Sequence, residues 1–191
     1  MNKMVLLLLL LGSFLFASSQ PKGLEPGSTA PNFSAMDQSG NSIQLSDLTA
    51  KGPVVIFFYR GQWCPYCNKQ LKQLEDSLGM LTANGASVIA VSPEIQENIE
   101  KTVEKTKASF PVLHDKGLAI MRAYDVAFEV EAPVIEKYKK YGIDFNKANG
   151  SNGAVLPVPA VYIIKNGIIT YRFFDTDYTR RASIKNLAAR L

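Results

Sequence analysis

Residues 53–71 read PVVIFFYRGQWCPYCNKQL. The apolar and β-branched run Val54 to Phe58 predicts a strand buried on both faces of a mostly parallel sheet. Directly after it come Arg60, Gly61 and Gln62, then the only tryptophan, Trp63, and both cysteines of the 191-residue chain, Cys64 and Cys67. Pro65 suits the first turn of a helix, because its fixed φ is already helical and its missing N–H would have had no intrahelical partner there. From Pro65 to about Ala83, Leu71, Leu74, Leu78 and Leu81 recur at three and four residues, which predicts a helix with one buried face. The thiols therefore stand where a buried strand gives way to a helix, the place where open α/β sheets bind their ligands.

That position carries a chemical consequence. The first N–H groups of the helix and its partial positive charge favour a thiolate at Cys64. From Lys51 to Gln73 there is no Asp or Glu, whereas Arg60, Lys69 and Lys72 are positive, so the local potential favours the same ionised form. Cys67 is one helical turn further on and shares a face with Cys64, within reach of a mixed disulfide formed there. A bridge between them closes a loop too small to restrict the unfolded chain much, which argues against a structural staple. The pair reads as a reversible two-electron switch. Resolution needs an acceptor for the Cys67 proton; Glu94, at the end of a second buried strand ASVIAVSP, is the candidate in the chain, with solvent as the alternative.

Zinc is a poor reading, since a structural site wants four ligands and the chain offers two Cys and the single His114. His114 is left without a role. A composition of 47% hydrophobic and 20% charged residues describes one globular domain resting on apolar packing. The net charge of +4 is spread among interleaved acids with no long run of one sign, which argues against a nucleic-acid partner.

The first residues, MNKMVLLLLLLGSFLFASSQ, combine Lys3, an apolar run from Val5 to Phe16 and small residues after it. They read as an export signal spanning residues 1–19, too short to span a bilayer, so the mature chain is expected in the periplasm or outside the cell without a stable membrane span. Beyond it lies a Pro-, Gly- and Ser-rich arm with two short strands around Phe33 and Ile43 to Leu45. The order continues as strand, helix, strand, amphipathic helix (95–110), then a short extended piece and helix over 110–126. A helix near Val134 to Tyr141 and a Gly/Asn-rich loop follow. The segment 132–157 has no reading beyond this. VPAVYIIKNGIITYRFFD is a hairpin around Asn166-Gly167, and TRRASIKNLAARL a final helix. Strands alternating with helices and closing on a hairpin give an α/β sandwich around a mixed sheet.

With these residues in place, the chain over Pro26 to Leu191 resembles the thioredoxin superfamily, and within it the peroxiredoxin-like AhpC/TSA branch. The resemblance is carried by APNFSAMDQSGNSIQLSDL, VVIFFYRGQWCPYCNKQL, VIAVSPE, PAVYIIKNGIITYRF and DTDYTRRASIKNL. It implies a thioredoxin-like three-layer sandwich over 20–191, with a mixed central β-sheet flanked by helices. It implies Cys64 as attacking thiol and Cys67 as resolving thiol, with Trp63, Pro65, Val158 and Pro159 lining the substrate site. Pro159 matches the cis-proline of thioredoxins, whose neighbouring backbone pairs with bound substrate.

Aligned instead with peroxiredoxins, Cys67 takes the peroxidatic position, Cys64 replaces their Thr or Ser, and their arginine falls near Val158; Arg60 substitutes only if it reaches inward from elsewhere. The thioredoxin buried acid corresponds to Phe58, and the glutamate of exported relatives to Gln70. The expected activity is an exported thiol-disulfide oxidoreductase acting on protein or small-molecule disulfides and thiols. A thiol peroxidase acting on hydroperoxides, in which Cys67 or Cys64 is oxidised to sulfenate and the other thiol condenses with it, is the alternative, and a non-enzymatic copper or client-binding module a further one. No organic cofactor and no metal is expected for either enzyme.

Overall fold

The computed structural model describes residues 20–191, so the export signal read at 1–19 lies outside the described residues. The arm forms a hairpin of β1 (Ser34–Met36) and β2 (Ser42–Gln44), which runs directly into α1 (Leu45–Thr49), a helix the sequence reading did not anticipate. β3 (Val54–Phe58) is buried at all five positions. It is followed by α2 (Pro65–Asp76) and α3 (Leu78–Thr82), then β4 (Ser87–Ser92), α4 (Gln96–Thr106), β5 (Val112–His114) and α5 (Ala119–Ala123). The single helix expected over 65–83 is thus two. The break falls at Ser77, at φ −116° and ψ 10°, with Gly79 just beyond, and both residue types are weak helix formers.

The segment without a clear reading folds as β6 (Ala127–Glu129), α6 (Ala132–Lys140), α7 (Phe145–Asn149) and β7 (Val155–Pro157). β6 and β7 pair antiparallel, Ala127 opposite Pro157. The expected Gly/Asn-rich loop holds α7, whose first N–H groups are satisfied by the Asp144 carboxylate accepting from Asn146 and Lys147. β8 (Ala160–Lys165) and β9 (Ile168–Phe174) form the hairpin, with Asn166 and Gly167 both at positive φ as its two-residue turn requires. α8 (Ile184–Ala188) ends the chain's regular structure.

The central sheet has the order β5-β4-β3-β8-β9, with β3, β4 and β5 parallel and β8 and β9 antiparallel. Period-two alternation along β3 feeds two cores. Val55, Phe57 and Tyr59 pack with Leu71 and Leu74 of α2, Ile99 of α4 and Leu187 of α8. Val54, Ile56 and Phe58 pack with Leu45 of α1 and Met121 and Tyr124 around α5. Each such fully buried leucine or isoleucine contributes about 1.5–3 kcal/mol by leaving water. Helices on both faces of a mixed sheet make the three-layer sandwich.

One expectation is corrected. All peptide bonds among the described residues are trans, including the one before Pro159. The neighbouring N–H of Val158 is donated to the Val126 carbonyl at 2.8 Å, extending the β6–β7 ladder by one more bond, and the Pro159 carbonyl accepts from the Asp175 N–H at 3.3 Å. These backbone groups are spent within the chain.

Candidate active site

α2 begins at Pro65, with Cys64 as its N-cap residue in extended conformation and Pro65 at the first helical position. Both cysteines are free and both are buried, Cys64 at 0% and Cys67 at 1% exposure, in one apolar cluster with Leu71, Leu74 and Tyr59. Burial alone would keep both protonated. Charge arranges otherwise.

The Arg60 side chain turns inward and its Nη2 donates to the Cys64 sulfur at 3.3 Å. Its Nη1 donates to the Tyr138 hydroxyl at 3.0 Å. The guanidinium carbon lies 5.1 Å from the centroid of the Trp63 ring and 3.9 Å from that of Tyr178, so three aromatic side chains from three parts of the chain hold one cation against the sulfur. Burial opposes the Arg60 charge, yet the Cys64 charge and hydrogen bond outweigh it and push Arg60 further up.

Cys64 is held below its ordinary value, first by the Cys67 thiol donating to it, then by the Arg60 charge and hydrogen bond and the Cys67 N–H, against the cost of burial. Cys67 moves the other way: burial raises it, and so do its hydrogen bond to Cys64 and the Cys64 charge. The pair therefore rests as one thiolate and one thiol, with the negative charge on Cys64.

Glu94, just past β4, is fully buried. Its Oε2 accepts the Gln62 N–H at 2.7 Å, while Oε1 has no protein partner. Burial pushes its pKa up to about 8, the Gln62 bond and Lys105 pull it down, and the Cys64 charge pushes it up again. The carboxyl approaches the turn between β3 and α2 closely. A Cβ on Gly61 would sit 2.6 Å from Glu94 Oε1 and 2.6 Å from the Trp63 Nε1, which is likewise buried without a partner. His114, left without a role by the sequence, makes a 2.6 Å contact through Nδ1 with the Glu94 carbonyl and sits beside the same strand end.

Arg60, Trp63, Cys64, Cys67 and Glu94 are thus gathered at one end of the sheet. Pro65 is exposed at the helix start. Ala160 pairs with Phe58, which puts Pro159 opposite the end of β3, but its backbone and that of Val158 are engaged as described. Phe58 and Gln70 stand where an acid was to be compared; Phe58 packs on Tyr124 and Tyr162, and Gln70 is buried on α2.

Several residues of the site escaped the sequence reading. Tyr138 of α6 and Phe145 of α7 pack on Trp63 with ring centroids at 5.3 and 5.7 Å, so the 132–157 segment is a wall of the site. The apolar Val134, Ile135 and Tyr138 at helical spacing were the available signal, since that face had to be covered by something. Tyr178 and Arg181 come from the stretch after β9. Tyr178 lies on Arg60 and edge-on to Tyr66, and Arg181 Nη2 reaches the Cys67 sulfur at 3.6 Å. A cleft of about 350 Å³ between α6 and this stretch, lined by Val134, Lys137, Tyr138, Tyr141 and Tyr178, opens beside the aromatic clamp. Among the described residues no helix is long and apolar enough to cross a membrane.

Comparison with known proteins adds the following. The chain is 34% identical over 101 residues to the thiol-disulfide oxidoreductase ResA of Halalkalibacterium halodurans, covering 52% of this chain and 56% of that protein. It is 34% identical over 100 residues to the chloroplastic peroxiredoxin Q of Sedum lineare, covering 52% of this chain and 53% of that one. The matches thus span little more than half the length of these curated relatives. Among solved structures, the peroxidoxin BcpB of Mycobacterium tuberculosis superposes with a TM-score of 0.67 at 20% identity, over 87% of this chain and 96% of that one, which shows the thioredoxin-like fold. The model of the AhpC/TSA family matches residues 26–172. With a dithiol pair at the end of the sheet and a family model that matches most of the chain, the protein belongs to the AhpC/TSA family and has a thioredoxin-like fold.

Proposed function

We propose that this protein is a thiol-disulfide oxidoreductase in which Cys64 attacks a substrate disulfide and Cys67 resolves the mixed disulfide. The observation that carries the reading is the division of charge: Arg60 and the Cys67 thiol both donate to the Cys64 sulfur, while Cys67 stays protonated behind it. A thiolate at the helix start is the nucleophile that disulfide exchange needs, and the second thiol one turn on is placed to displace what the first captures. Glu94, with its pKa near neutrality, is the acceptor or donor of the proton that moves during exchange.

The reading places substrates among protein or small-molecule disulfides. It places the protein outside the cytosol, supported by the leader-like residues 1–19 and by the redox conditions in which such a couple cycles. The deciding experiment uses single variants. Cys64→Ser abolishes disulfide reduction, and Cys67→Ser accumulates a mixed disulfide through Cys64 that mass spectrometry detects. A Cys64→Ser variant that still forms the adduct would reject the assignment.

The second reading, a hydroperoxide reductase, is favoured by the two guanidinium groups that flank the sulfurs and by the peroxiredoxin relative. Against it, the position aligned with a peroxidatic cysteine is Cys67, the thiol that the site keeps protonated. Rapid peroxide consumption lost in Cys67→Ser alone would favour that reading.

A further inference from the structure

Two consecutive arginines follow the Asp175–Asp177 turn, and they are used differently. Arg180 points outward and pairs with Asp175 at 3.5 Å and Asp177 at 3.6 Å. Arg181 turns inward; among the described residues it has no carboxylate within ion-pair distance. Its Nη1 donates to the Arg180 carbonyl at 2.8 Å, which fixes the plane of the guanidinium, and its Nη2 is directed at the Cys67 sulfur at 3.6 Å. The next residue, Ala182, is buried in the same cluster as the two cysteines and Leu187 of α8, so the backbone that carries Arg181 is anchored on its C-terminal side. Arg181 is half-buried and its Nε is buried without a hydrogen-bond partner, so the guanidinium that faces the Cys67 sulfur is only partly hydrated and has no carboxylate to neutralise it.

We propose that Arg181 is a catalytic residue of the resolution step, the group that receives the Cys67 sulfur as a thiolate when it attacks the mixed disulfide on Cys64. This rests on the reading of Cys64 as the attacking thiol. In the resting dithiol the charge is on Cys64 and Arg60 holds it. Once Cys64 is bonded to a substrate sulfur that charge is gone, and with it both influences of Cys64 that keep Cys67 protonated. Of the groups around Cys67, namely Cys64, the Arg60 backbone, Tyr59 and Arg181, only Arg181 then brings a cationic side chain to the sulfur, because Arg60 is clamped at Cys64 by Tyr138 and Tyr178.

The step balances. Cys67 Sγ forms a bond to Cys64 Sγ as the bond from Cys64 Sγ to the substrate sulfur breaks, and the electron pair of that bond leaves on the substrate sulfur, which takes up the proton Cys67 gave up. The protein is oxidised by two electrons and the substrate disulfide has become one thiol and one thiolate, the first sulfur released by Cys64 taking any proton from solvent. Each guanidinium thus serves one sulfur, in turn.

The test follows both steps in one trace with the reduced full chain and excess 4,4′-dithiodipyridine, a neutral disulfide whose encounter does not depend on net charge. The first equivalent of thiopyridone reports attack by Cys64 and the second reports resolution by Cys67. An opposite charge this close lowers a thiol pKa by about 1–3 units; each unit lost costs about tenfold in thiolate and regains about threefold in nucleophilicity. Arg181→Gln is therefore expected to slow the second release by roughly three- to thirtyfold, with its pH midpoint moving up by about 1–3 units, while the first is unchanged. Arg181→Lys restores part of the rate, and Arg180→Gln, which removes the neighbouring charge, changes neither release.

Equal slowing of both releases, or a second release in Arg181→Gln at the wild-type rate and pH midpoint, would overturn the proposal. The reading beneath it is checked separately: a first release that survives in Cys64→Ser and vanishes in Cys67→Ser would reject Cys64 as attacker, whatever Arg181 does.

Discussion

The proposed chemistry turns on Arg60 and Cys64, because a buried sulfur is ionised only where a donor and a cation outweigh the loss of water. Arg60→Leu is expected to raise the Cys64 pKa by about 1–3 units, read from thiolate absorbance against pH in the Cys67→Ser background. Arg60→Lys recovers only part of this, since a lysine cannot donate at once to the sulfur and to Tyr138 while lying flat against Tyr178. Stability should carry the same signature. Cys64, held below its ordinary 9.0, stabilises the reduced fold above that value, and the contribution is lost as pH falls through its lower folded pKa. Glu94 is the reverse case: its pKa rises from 4.5 to about 8, so its contribution is complete below 4.5 and is lost as pH rises through 8. The two slopes oppose one another across the neutral range. Cys64→Ser should therefore lose stability with rising pH between 4.5 and 8, and Glu94→Gln should gain it as pH rises toward 9, both read from urea midpoints. Arg60 and Glu94 could be named from sequence because they lie at the ends of strands whose apolar runs were unmistakable. Arg181 could not, since 114 residues separate it from Cys67 and nothing local marks which of two adjacent arginines turns inward.

Among the elements, the turn from β3 to α2 is the most constrained. Glu94 and Trp63 both close on Gly61, so a methyl group there has no room. Gly61→Ala is expected to cost about 1–3 kcal/mol through overpacking and to move the Glu94 titration; an unchanged melting midpoint and an unchanged carboxyl titration would refute it. Elements whose sequence carries a period or a turn signature were legible: β3, β4, the start of α2, α4 and the β8–β9 hairpin. Those fixed by tertiary packing were not. α7 is held by Phe145 under Trp63, and β6 with β7 is a pairing between short stretches of ordinary composition flanking two helices. The single helix expected across Ser77 failed because leucine spacing runs on through the break, although the backbone does not.

At the scale of the molecule, the three layers were readable from alternating strands and helices, but the closure of the site was not. Both sulfurs are covered, and the cover is drawn from distant parts of the chain: Tyr138 from α6 and Tyr178 and Arg181 from beyond β9. Under the proposed disulfide exchange, a substrate reaches Cys64 only if this cover gives way. Tyr178 is exposed on its outer side and rests on Arg60 by one face, so it is the member most easily moved. Tyr178→Ala should speed alkylation of Cys64 by iodoacetamide severalfold at a pH where the thiol is fully ionised; an unaltered rate would show that entry lies elsewhere, such as along the cleft wall at Tyr138.

The hydrogen bond from Val158 to Val126 bears on what such a substrate looks like. By extending the small β6–β7 ladder up to the threshold of β8, the protein fills with its own main chain the berth at which a client polypeptide would zip on as an added strand. Under the proposed disulfide exchange, discrimination between substrates then falls to side-chain surfaces such as the tyrosine-lined cleft, and a compact disulfide with an aromatic or aliphatic neighbour is expected to react faster than an extended peptide, a difference that reduction rates with the two kinds of disulfide would read.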